Sequence, residues 1–155
     1  MQIDTQFSVF LVNKPGVLAQ VTQTLAKAKL NIVALTMVDS SEHGVLRFVC
    51  DNAVKAREVL KKHHDNWAET EVLALTLRNE PGALSVVAQH LADAHVNISY
   101  AYTSGGAPGG RTTCIFKVAD LNRAMKLLKP FVETEKPPAE RRKTIRRAPT
   151  AGRGR

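Results

Sequence analysis

The sequence predicts an α+β fold built as two tandem β-α-β-β-α-β modules, antiparallel sheets with the helices on one face. Three observations predict it. Sliding the chain against itself by 66 residues gives 12 identities over the 22 positions that pair residues 11–32 with residues 77–98, so a structural unit is duplicated. Within each copy the apolar residues recur first at every second position and then at three and four residues, a strand running into an amphipathic helix. A chain of 155 residues with 44% apolar content can build a core, and no run approaches the roughly 18 uncharged apolar residues that cross a bilayer.

The first strand of each copy is marked by Phe7, Val9 and Leu11, and by Leu73, Leu75 and Leu77, the alternation of a half-buried strand. A Pro-Gly turn follows. Leu18, Val21, Leu25 and Ala28, with Leu84, Val87, Leu91 and Ala94, then set one apolar stripe of a helix. A strand from Asn31 to Val38 meets another from Val45 to Cys50 across a polar hairpin; the second copy turns around Gly105-Gly106-Ala107-Pro108-Gly109-Gly110, two residues longer. Asn52 and Asp120 stand where helix N-caps belong, ahead of Ala53, Ala56 and Leu60 or Leu121, Ala124, Met125 and Leu128. Trp67-Ala68-Glu69-Thr70-Glu71 superposes on Phe131-Val132-Glu133-Thr134-Glu135, so a closing strand is expected at the end of both copies. This is the ferredoxin-like order. The expected modules are residues 1–70 and 71–135, joined by a nearly continuous strand from Trp67 to Leu77 rather than by a flexible spacer. Units of this size leave edges and a sheet face open, so the two should pair edges or cover each other.

The charge is segregated. Residues 1–135 carry 14 Lys and Arg against 13 Asp and Glu, whereas residues 136–155 carry eight positives against Glu140. That tail, with three prolines and one large aliphatic residue, Ile145, cannot offset its ordering entropy and is expected to be disordered. It either binds nucleic acid or another polyanion, as its charge allows, or serves as a solubilising extension; no aromatic residues interleave to stack bases. The first residues, Met-Gln-Ile-Asp-Thr-Gln, have neither a basic nor an apolar region of a signal peptide, so a cytoplasmic protein is expected. Cys50 and Cys114 read as reduced packing thiols.

The chemistry is concentrated in a turn of the form Asn-x-Pro-Gly-x-Leu, present as Asn13-Lys14-Pro15-Gly16-Val17-Leu18 and again as Asn79-Glu80-Pro81-Gly82-Ala83-Leu84. Gly admits close backbone approach, Pro fixes φ, and the following helix offers unpaired N–H groups at its positive end. Such a place attracts a carboxylate, and the Asn carboxamide beside it has an acceptor for an ammonium, a combination suited to a free amino acid. The same residues also build a tight strand-to-helix connection without any ligand.

These turns, together with the Asn-Ile pairs Asn31-Ile32 and Asn97-Ile98 that open the strand after each helix, resemble the ACT domain, a small ligand-binding module of amino-acid metabolism, in its tandem form. The resemblance covers residues 5–135. It implies an amino-acid site between adjacent modules, where the turn of one faces the second strand of its neighbour, with Asn13, Asn79, Asn31 and Asn97 at the binding positions. It further implies a non-catalytic regulatory protein without cofactor, a homodimer through sheet edges or faces, and a separate enzyme or regulator chain as partner. Asn31 and Asn97 could alternatively end the helix in the left-handed conformation, and both roles can coexist. Lys14 stands against Glu80, and Tyr100 and Tyr102 replace Ala34 and Thr36, so the two sites should not be equivalent.

Other motifs point away from catalysis. His63-His64 sits among Lys61, Lys62 and Asp65 at a helix end, where a solvated cation is the expected role. The glycine run at 105–110 lacks the Lys-Ser or Lys-Thr of a phosphate loop and joins two strands. No Ser-His-Asp or Cys-His set emerges.

Overall fold

Ten elements follow one another in a computed structural model that describes residues 1–39 and 43–134: β1 (Gln2–Val12), α1 (Val17–Lys27), β2 (Ile32–Asp39), β3 (His43–Cys50), α2 (Ala53–His63), β4 (Trp67–Arg78), α3 (Ala83–Asp93), β5 (Ile98–Thr103), β6 (Arg111–Val118) and α4 (Leu121–Thr134). Residues 40–42 of the first hairpin and the basic tail at 136–155 lie outside the described residues. The element types are those that the two periodicities predict. Asn52 caps α2 by accepting from the Lys55 amide at 3.0 Å, and Asp120 accepts from the Arg123 amide at 2.9 Å, each satisfying one orphan donor of a helix start. No helix among the described residues is long and apolar enough to cross a membrane.

The six strands form one antiparallel sheet in the order β2-β3-β1-β4-β6-β5. Its centre is the pairing of β1 with β4, from Gln2↔Ala74 to Val9↔Trp67. Thr5 lies opposite Glu71, and these two residues also correspond under the 66-residue repeat, so the pseudo-two-fold axis of the duplication passes between them. Each central strand therefore serves both halves. Trp67 and its neighbours close the first half, as expected. The closing strand expected at Phe131–Glu135 is corrected: residues 131–134 continue α4. The place on β4 that such a strand would take is held by residues 2–5 of β1, and Met1 packs into the second core. Phe131 instead meets His90 edge-on, 4.2 Å between ring centroids, which ties the last turn of α4 to α3 despite Pro130 within the helix.

Two cores lie under the helices. Phe7, Val9, Leu11, Leu46 and Phe48 pack against Val21, Leu25, Ala56 and Leu60; Leu73, Leu75, Leu77, Cys114 and Phe116 pack against Val87, Leu91, Ala124 and Leu128. The helix-free face is covered too. Strand twist accumulates across six strands, bringing β2 and β5 into contact although they end the strand order, and Ala34, Val49, Val72, Ala74 and Ile115 form a third buried cluster there. The halves thus share a sheet and also cover each other.

The helix ends bring a second correction. The left-handed residues after α1 and α3 are Lys29 and His95, both at φ 54°, not Asn31 and Asn97. Each forms a Schellman motif: the Lys29 and Leu30 amides donate to Ala26 and Leu25, and the His95 and Val96 amides donate to Ala92 and Leu91. The motif needs its left-handed residue directly after the cap, two positions before either Asn.

Candidate functional site

Both Asn-x-Pro-Gly segments fold as type II turns. The Val17 amide donates to the Lys14 carbonyl at 3.4 Å, and the Ala83 amide to the Glu80 carbonyl at 3.3 Å. Pro15 and Pro81 take the second turn position, and Gly16 and Gly82 the third, at φ 88° with ψ −15° and −16°. Only glycine adopts that conformation without strain. The glycines also cap α1 and α3, so neither helix has a side-chain cap, and neither carries an acidic residue in its first turn. The Gly16 and Gly82 carbonyls accept from Gln20 and Val86, leaving the amides of Leu18, Ala19, Leu84 and Ser85 without an acceptor inside their helices. Asn13, Lys14, Pro15 and Gly16 are exposed and Val17 half-buried, while Asn79 is half-buried.

The second turn opens onto a pocket of about 410 Å³ lined by Arg78, Asn79, Glu80, Ala83 and Leu84 on one side and by Thr103, Ser104, Gly105, Gly106 and Thr112 on the other, with Leu77 and Cys114 also lining it. It carries both signs of charge: Arg78 Nη1 lies 3.3 Å from Glu80 Oε1. The matching positions in the first half are Val12 and Lys14, so the two turns carry different side chains. Asn79 holds the β5–β6 connection. Its Nδ2 donates to the carbonyls of Gly106 at 2.9 Å and Ala107 at 3.2 Å, its backbone N–H to Gly110 O at 2.9 Å, and its carbonyl accepts from Gly109 at 3.0 Å.

Asn31 and Ile32, and likewise Asn97 and Ile98, sit at the far end of α1 or α3 from the turn of their own half. An 11-residue helix separates them by about 16 Å. Asn31 exchanges hydrogen bonds with Asp51, its amide donating to Asp51 Oδ1 and its carbonyl accepting from the Asp51 amide, both at 3.1 Å. Asn97 and Ile98 line a shallow depression of about 510 Å³ with Ala88, Ala92, His95 and Val96. All residues lining the pocket at the second turn belong to the second half.

Tyr100 and Tyr102 turn onto the helix-free face. Gln6, fully buried, donates from Nε2 to Tyr100 Oη at 2.8 Å and accepts at Oε1 from Tyr102 Oη at 3.0 Å, and the Arg47 guanidinium lies 4.3 Å from the Tyr100 ring centroid. Burial pushes the Tyr102 hydroxyl above its ordinary range. Sequence reasoning missed this clasp; its signal is Gln6 and Ser8 on a strand whose other buried residues are apolar. Cys50 and Cys114 are buried and burial pushes both thiols up, away from reactivity. Among the described residues no group of three His, Cys, Asp or Glu gathers to hold a metal.

The family described as ACT domain pair matches residues 1–132. The chain is a pair of ACT domains. Among solved structures, the ACT pair is similar to protein BT0572 from Bacteroides thetaiotaomicron, at 30% identity and TM-score 0.75 over 83% of this chain and 88% of that one. It also shares the fold of the regulatory subunit of aspartate kinase from Thermus thermophilus, at 15% identity and TM-score 0.64 over 84% and 97% of the two chains. The corresponding subunit from Thermus flavus matches at 18% identity and TM-score 0.58 over 83% and 93%. No match is found among curated proteins.

Proposed function

We propose that the ACT pair is a non-catalytic regulatory protein that binds a free amino acid at its strand-to-helix turns. The observation that carries this reading is the same backbone at Gly16 and Gly82, φ 88° in both, which presents uncapped helix amides in two halves whose neighbouring side chains differ. A ligand carboxylate accepts from the Leu84 and Ser85 amides while its ammonium meets Glu80 and Asn79 Oδ1. Single contacts of this kind contribute about 0.3 to 2 kcal/mol, so the affinity lies in the micromolar to millimolar range.

Turn and Asn-Ile pair stand at opposite ends of each half, so their meeting requires a second module set beside the first in the opposite sense, and a homodimer supplies one. Ligand that bridges two chains binds the assembled form better than the separated one. That difference, about 1 to 3 kcal/mol, is the regulatory output. The fold's likeness to separate regulatory subunits of aspartate kinase supports, as an analogy of fold, action on a separate enzyme chain. Thermal unfolding with each common L-amino acid at millimolar concentration tests the reading. At a hundredfold excess over the dissociation constant the native state gains about 2.7 kcal/mol, a rise in midpoint of several degrees; a panel without any rise removes the proposal.

A further inference from the structure

We infer that residues 105–110 of the connection between β5 and β6 are the movable wall of the pocket at the second turn, and that Asn79 is the positioning residue that latches them. This rests on the binding reading above and adds how that site retains its occupant.

The wall is built by a departure from the repeat. In the first half β2 stays paired to β3 as far as Asp39↔Gly44. In the second, the β5 ladder stops two residues sooner, at Thr103↔Cys114, and the chain leaves the sheet edge after Ser104, which is still bonded to Thr112 and Thr113. It then crosses to the turn between β4 and α3, where Asn79 gives it four hydrogen bonds. The pocket lies between this segment and the turn, with Ser104, Gly105 and Gly106 as its outer side. Gly106 is fitted closely: a Cβ there would stand 2.6 Å from the Arg111 carbonyl oxygen, so this position has no room for a side chain where the segment now lies. Gly109 turns at φ 73°. Ser104 stays tied to β6, its amide donating to the Thr113 carbonyl and its carbonyl and hydroxyl oxygens accepting from Thr112 Oγ1 and the Thr113 amide. Beyond it, the hydrogen bonds that hold residues 105–110 over the turn come from Asn79, so releasing Asn79 opens the pocket without dismantling the sheet.

Two variants of the full chain address it independently. Asn79→Asp keeps an oxygen where the ammonium would bind and loses the Nδ2 donor. Gly106→Ala displaces the segment and leaves Asn79 unaltered. Both are measured for amide hydrogen exchange without ligand, and for dissociation rate of whichever common L-amino acid raises the wild-type unfolding midpoint most. The expected result is faster exchange at residues 105–110 in both, with dissociation accelerated about tenfold and association little changed, as for the loss of one or two hydrogen bonds that act on retention. Unchanged exchange in both variants would overturn the latch. Faster exchange with unaltered dissociation would overturn the wall and leave the binding reading standing. A wild-type chain that binds none of the amino acids would remove both. Should Asn79→Asp fail to fold, Asn79→Ser, which also lacks the Nδ2 donor, takes its place beside Gly106→Ala.

Discussion

Lys29 and His95 occupy a left-handed backbone position that a glycine would hold without strain. The conformation costs an ordinary residue roughly 1 to 2 kcal/mol, part of which glycine returns through its larger unfolded-state entropy. Lys29→Gly and His95→Gly should therefore each stabilise the chain by about 0.5 to 1 kcal/mol, seen as a higher denaturant midpoint with an unchanged slope. His64 makes a pH-dependent contribution. Its Nε2 is buried without a hydrogen-bond partner among the described residues, and burial, with His63 beside it, lowers its pKa. An unfolded His titrates near about 6.5, so below that value the unfolded chain binds the proton more readily than the folded one. The His64 contribution is complete above that pH and is lost as pH falls toward the folded value. Stability curves of His64→Leu should run flatter than wild type across this window, while a parallel pair of curves would deny His64 the role.

At the scale of elements, the strands and helices were legible because the duplication shows each pattern twice, and the Pro-Gly turns were legible because a type II turn admits few other residues at those places. The closing strand of the second half was not. Phe131-Val132-Glu133-Thr134 has the composition of Trp67-Ala68-Glu69-Thr70, and what separates them is a long-range fact: residues 2–5 already occupy the edge of β4. The Asn79 latch and the clasp of Gln6 on Tyr100 and Tyr102 were illegible for the same reason, since each joins residues brought together by the folded sheet. Lys29 gave no sign because Lys does not favour the left-handed region, and His95, of a type found there more often, stood two residues from an Asn that drew the expectation instead. If β1 completes the second half, deleting residues 1–5 should speed amide exchange at residues 72–74 more than at residues 46–49 of the first core. Equal effects in both halves would contradict the shared-strand arrangement.

Across the whole molecule, β1 and β4 leave no seam between the halves, and the coiled sheet adds a second contact surface through the cluster around Val49, Val72 and Ile115. Gln6 is the polar centre of that closure. Gln6→Leu would leave the half-buried Tyr100 and Tyr102 hydroxyls without their amide partners and should cost about 1 to 3 kcal/mol in chemical denaturation, with the single cooperative transition kept because the central strand pair is untouched. A change below about 0.5 kcal/mol would show that the hydroxyls find other partners. Under the proposed function, such coupling would give a ligand at one turn a rigid body to act through, so that binding at the second turn would alter how this chain meets another. The most direct measurement is an amide-resolved magnetic resonance titration of the full chain with each common L-amino acid to millimolar concentration. At least one amino acid should displace the Leu84 and Ser85 amide resonances first and most, as a carboxylate arriving at the uncapped start of α3 requires; if these amides stay still with every amino acid, the turns bind no such ligand.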